Sequence, residues 1–134
     1  MQEDSFTLLI DDDVISNFIN QRLIKKHNPS SNIKIALNGE EGLKIIQEEF
    51  YKNNLMPHII FLDINMPVMN GMEFIVALRN SNFSGQNLPP IIMLTTSVNP
   101  KDLDELDKLG MHFIINKPLT DAKLLKAMES FENI

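Results

Sequence analysis

The chain has no cysteine among its 134 residues, which excludes a disulfide framework, thiol chemistry and any Cys-ligated metal. It also lacks any apolar run approaching the ~20 residues that a membrane-spanning helix needs. Residues 1–6 carry no basic start of the kind that opens a secretory signal peptide, so a cytoplasmic address is the default expectation. Positive charge is in short supply. Twelve Lys and Arg against eighteen Asp and Glu leave a formal net charge of −6. That balance disfavours direct nucleic-acid binding, which draws heavily on basic contacts to phosphate. There is no repeat and no low-complexity tract. What is present is globular in character, 43% hydrophobic and 22% charged. The length suits one domain burying roughly two-thirds of its unfolded surface.

Short apolar runs alternate with segments of helical period. Residues 6–10 read as a first strand that ends in Asp11-Asp12-Asp13. A helix follows with Ile15, Phe18, Ile19 and Leu23 on one face, ending near Asn28-Pro29. Residues 33–37 read as a second strand, and Asn38 can cap the next helix, with Leu43, Ile46 and Phe50 inward. Residues 58–62 form a third strand, a mostly apolar run of the kind buried on both faces. A helix over about 72–79 follows Asn70-Gly71, and then a polar loop over 80–88. Residues 91–94 form a fourth strand, ending in Thr95-Thr96-Ser97. The helix from about Pro100 turns Leu103 and Leu106 inward and stops at Gly110. Residues 113–115 make a fifth, short strand, ending in Asn116-Lys117-Pro118. Thr120 can cap the last helix, whose Leu124, Ala127, Met128 and Phe131 share a face. Five strands alternating with five helices predict an α/β fold: a parallel sheet with helices on both faces. Nothing remains for a second domain.

In a parallel sheet all strands end on one edge, and open α/β sheets hold their ligands there. Strands one, three, four and five end in three acids, one acid, a hydroxyl pair and a lysine. If strands one and three are neighbours, Asp11, Asp12 and Asp63 converge on one cleft. Two negative charges about 5 Å apart repel by ~3 kcal/mol at an effective dielectric of 20. Such a cluster calls for a cation, and all-oxygen ligation favours Mg²⁺ or Mn²⁺ over softer metals. Lys117 brings a fixed positive charge and Thr95 a hydroxyl donor, while Asp13 is expected to cap the first helix. A carboxylate, a divalent cation, a lysine and a hydroxyl suit phosphoryl transfer onto the carboxylate, which consists mostly of positioning and charge neutralisation. Asp63 would be the nucleophile.

Four motifs resemble the receiver domain of bacterial two-component response regulators: Leu8-Leu9-Ile10-Asp11-Asp12, Leu62-Asp63-Ile64-Asn65-Met66-Pro67 with Gly71, Leu94-Thr95-Thr96, and Gly110 through Lys117-Pro118. The resemblance spans essentially the whole chain. It implies a flavodoxin-like, doubly wound five-stranded sheet of order 2-1-3-4-5. Asp63 would be the phosphoacceptor, and Asp12 would ligate Mg²⁺ directly. Asp11 would act through a bound water and Asn65 through its backbone carbonyl. Thr95 would be the switch hydroxyl and Lys117 the phosphate-binding lysine. The donor would be a phosphohistidine on a sensor histidine kinase or a histidine phosphotransfer protein. The chain would be a signalling protein that assists its own phosphorylation and dephosphorylation rather than an enzyme. As a receiver spanning 1–134 with no output domain, it would act by binding an unidentified protein target or by relaying the phosphoryl group.

One position departs from the family pattern. Three residues before the lysine, where the family usually has Tyr or Phe, stands Ile114. Neighbouring strand residues point to opposite faces, so Phe113 is not expected to substitute for the missing ring. Rival readings are weaker. A haloacid-dehalogenase-like phosphotransferase would carry Asp-x-Asp, and here the second position is Asn65. A flavin carrier would need a phosphate-cradling loop where three aspartates stand. A pseudo-receiver acting only in docking would not need the acidic pair, Asp63, Thr95 and Lys117 together. His27, His58 and His112 show no ligand spacing, and the eight Met residues read as core filler and interface surface.

Overall fold

A computed structural model of the protein describes residues 5–81, 88–96, 99–111 and 113–132, with 131 and 132 described through their backbone alone. Most of the expected 80–88 loop, Ser97, His112 and the side chain of Phe131 lie outside the described residues. Strands β1 (Thr7–Ile10), β2 (Ile33–Ala36), β3 (Ile59–Asp63), β4 (Ile91–Thr95) and β5 (Ile114–Asn116) alternate with helices. These are α1 (Val14–His27), α2 (Gly39–Asn53), α3 (Gly71–Arg79), α4 (Pro100–Lys108) and α5 (Asp121–Glu132). All four strand pairings are parallel, and the sheet order is β2-β1-β3-β4-β5. The expected flavodoxin-like, doubly wound topology is the one found.

The central strands explain the continuous apolar runs. Every residue of β1, β3 and β4 is buried, because helices cover both faces. Leu8, Ile10, Ile60, Leu62 and Met93 pack on one side with Ile46, Phe74 and Leu106. Leu9, Phe61, Ile92 and Leu94 pack on the other with Ile24, Leu124 and Ala127. β5 follows the same alternation. Ile114 packs with the first cluster, whereas Phe113 and Ile115 pack with the second. Phe113, one residue before β5 rather than inside it as expected, therefore faces away from Ile114.

The helix starts are written in short polar residues. The side chains of Asp13, Asn38, Asn70 and Asn99 accept main-chain N–H groups at the starts of α1 to α4. At α3 Glu73 returns the bond to the Asn70 N–H, closing a capping box. Thr120 Oγ1 accepts the Lys123 N–H in α5. After α4 the chain turns at Gly110, whose φ of +78° suits the residue without a Cβ.

Helix α1 differs from a simple amphipathic reading. Its buried residues are Asn17, Asn20 and Ile24. Val14, Ile15, Phe18 and Ile19 are 66%, 69%, 58% and 49% exposed. The apolar face read from the sequence exists, but most of it faces outward.

Candidate functional site

The register fixes which strand ends meet. Ile10 pairs with Leu62, Asp63 with Leu94, and Thr95 with Asn116. Asp11 leaves β1 beside Asp63, which is the last residue of β3 rather than the first residue beyond it. One carboxylate oxygen each from Asp11, Asp12 and Asp63 lies within 4.8 Å of the others. Asp11 and Asp63 are buried, whereas Asp12 opens to solvent. Lys117 Nζ reaches in from the β5–α5 loop, 2.6 Å from Asp11 Oδ2 and 3.5 Å from Asp63 Oδ1. Fully ionised, three carboxylates and one ammonium leave two negative charges, which one divalent cation would balance.

Burial shapes the titration of the pair. Desolvation pushes the Asp63 carboxyl up to about 6, and the neighbouring Asp11 charge adds to it while Lys117 pulls it back. For Lys117 burial works against the charge. The hydrogen bond and charge of Asp11, joined by Asp63, overcome it and hold the ammonium above the usual lysine range.

Local contacts fix the groups in place. The Asp13 N–H donates to Asp11 Oδ1 at 2.9 Å, closing the turn that carries Asp12. Thr95 is buried at the end of β4, and its carbonyl accepts the Lys117 N–H at 2.7 Å. Asn65 is exposed in the loop after β3, two residues beyond Asp63. At Gly71 a Cβ would sit 2.6 Å from the Asp63 carbonyl oxygen, so only glycine lets α3 begin this close to the strand end.

The expected Asp11, Asp12, Asp63 and Lys117 are thus brought together, Thr95 ends the adjacent strand, and Asn65 follows in the loop. Two further residues escaped the sequence reading. Asn17 donates from Nδ2 to the Asp11 carbonyl at 2.8 Å. Lys123 Nζ bonds the carbonyls of Asn116 and Pro118, on either side of Lys117, at 2.7 and 3.2 Å. The only available signal was position, one helical turn past an anchor in each case. His27 lies 2.9 Å from Asp121 and His58 3.2 Å from Thr7, and neither joins a three-ligand group among the described residues.

Residues 7–129 match the response regulator receiver domain family. The chain belongs to that family. The receiver is 32% identical to the nitrate/nitrite response regulator protein NarL of Escherichia coli, over 95% of this chain and 54% of NarL. It is 29% identical to the sensory/regulatory protein RpfC of Xanthomonas campestris, over 90% of this chain and 16% of RpfC. It therefore spans about half, or much less, of these curated relatives. Among solved structures, a two-component response regulator from Cytophaga hutchinsonii superposes with a TM-score of 0.82. It is 29% identical, and the match covers 97% of this chain and 98% of that one. The chemotaxis protein CheY4 of Vibrio cholerae gives 0.76 at 28% identity, covering 94% and 97%. No helix among the described residues is long and apolar enough to cross a membrane.

Proposed function

We propose that this receiver accepts a phosphoryl group on Asp63 from a phosphohistidine donor, a sensor histidine kinase or a histidine phosphotransfer protein. The observation that carries the reading is the juxtaposition of Asp63 with two further carboxylates and the Lys117 ammonium. An Asp63 oxygen attacks phosphorus, the P–N bond to the donor imidazole breaks, and the imidazole leaves with the electron pair and takes up a proton. Asp11, Asp12, Asp63 and the Asn65 carbonyl would hold Mg²⁺, or Mn²⁺ in its place. These all-oxygen donors fit a hard divalent cation. Held there, such an ion would neutralise the negative charge that phosphoryl transfer gathers at these carboxylates.

Lys117 then binds a phosphoryl oxygen, and its elevated pKa keeps it charged throughout the neutral range. Thr95 donates its hydroxyl to another oxygen, and that movement alters the surface near α4, β5 and α5 for an unidentified downstream protein. The receiver is not an enzyme acting on a separate substrate; it assists its own phosphorylation and dephosphorylation. Exposed Val14, Ile15, Phe18 and Ile19, immediately after the acidic turn, support docking of a protein donor on α1. The acidic net charge fits protein partners rather than nucleic acid.

Intact-mass analysis after treatment with acetyl phosphate and Mg²⁺ tests this reading. One phosphoryl group should appear, labile to base and absent from Asp63→Asn. Full labelling of Asp63→Asn would refute the assignment. No labelling of the parent would return the chain to a docking role without phosphotransfer.

A further inference from the structure

Asp11 is held at every polar atom it has. Its N–H donates to the Ala36 carbonyl at 3.1 Å, Oδ1 accepts the Asp13 N–H and Oδ2 accepts Lys117 Nζ. The remaining group, its carbonyl, accepts from the Asn17 side chain. That carbonyl belongs to the peptide leading into Asp12, the exposed member of the carboxylate trio. The Asp11–Asp12 peptide plane sets where the Asp12 side chain leaves the main chain, and Asn17 pins that plane.

The Asn17 amide is used on its donor side alone. Asn17 is 3% exposed, and its Oδ1 is buried without a hydrogen-bond partner. A buried orphan acceptor costs about 1–3 kcal/mol, and an apolar residue here would remove that one but leave the buried Asp11 carbonyl without its donor. Leucine has the same branched heavy-atom skeleton as asparagine, though bulkier, and is the better helix former. The amide brings one thing leucine cannot, a donor aimed at Asp11.

We propose that Asn17 is a positioning residue for the acidic turn, setting the orientation of Asp12 toward a divalent cation by anchoring the Asp11 carbonyl. The inference rests on the proposed cation role of this site. Groups that orient metal ligands without touching the metal typically contribute 10–100-fold to affinity when removed.

Calorimetric titration with Mg²⁺ suits a chain without tryptophan, alongside amide hydrogen exchange at Asp12 and Asp13 without added metal. Asn17→Leu is expected to keep the folded state, to weaken Mg²⁺ binding by about tenfold or more, and to speed exchange at Asp12 and Asp13 relative to Leu8. Asn17→Ala should show the same pattern if leucine overpacks the site. Ile24→Ala, a buried change on the same helix face, should lower the midpoint and leave affinity within twofold of the parent. Affinity within twofold of the parent in both Asn17 variants, or exchange unchanged in both, overturns the proposal. A parent that binds no Mg²⁺ refutes the cation role itself, and the exchange rates still decide whether Asn17 anchors the turn.

Discussion

Asp63→Asn should stabilise the metal-free protein near neutral pH. The wild-type carboxyl is buried, and its pKa rises from 3.8 to about 6 on folding. Between those values the folded chain binds more protons than the unfolded chain, so the stability of the parent falls as pH rises from about 4 to about 6. Above that window the penalty is complete, and a shift of this size corresponds to about 3 kcal/mol. Asparagine keeps the size and removes the charge, while Lys117 retains Asp11 as its partner at 2.6 Å. The variant should therefore gain about 3 kcal/mol at pH 7.5, or on the order of 10 °C in Tm. At pH 4, where the folded parent carries Asp63 protonated, most of that gain should vanish. Urea denaturation followed by far-UV circular dichroism, in chelator, measures both conditions. Equal stabilities at pH 7.5, or the same gap at both pH values, would refute the reasoning. Added Mg²⁺ should close the gap by stabilising the parent more than the variant.

Gly71→Ala places a methyl 2.6 Å from the Asp63 carbonyl. It should cost about 2 kcal/mol by overpacking and weaken Mg²⁺ binding by moving the end of β3, both readable by denaturation and calorimetry. Ile114 packs into the core cluster without a ring to swing and has little rotamer freedom. Ile114→Ala should leave phosphorylation of Asp63 intact and weaken partner binding only modestly, whereas Thr95→Ala should uncouple the two. NMR shifts on adding beryllofluoride should concentrate in residues 95–105, and changes confined to 112–116 would contradict that route.

The elements were legible because each carried two signals at once. β3 shows a continuous apolar run and then an acid, and Asn70-Gly71 marks the start of a segment with helical period. The candidate site was legible for a topological reason, since parallel strands deliver all their last residues to one edge. α1 was read only halfway. Periodicity reveals that an apolar stripe exists, but it does not say what the stripe meets. On α1 two asparagines at i and i+3 took the inward face. Asn17 could not be singled out, because its partner is a main-chain carbonyl six residues earlier and any residue offers one. Lys123 escaped for the same reason.

The edge that gathers Asp11, Asp12 and Asp63 is also the edge at which helices following the strands begin. Aligned peptide dipoles give each helix start roughly half a positive elementary charge, felt mainly within its first turn. α1 opens three residues beyond Asp11 and two beyond Asp12, so its positive end adjoins the very turn that carries the acids. The main chain thus lends this edge a positive field that no side-chain substitution removes. An identical trio of aspartates at the opposite edge would meet helix C-termini of the wrong sign. In a doubly wound sheet, anionic chemistry has one hospitable side, and the order of the chain chooses it before any particular residue does.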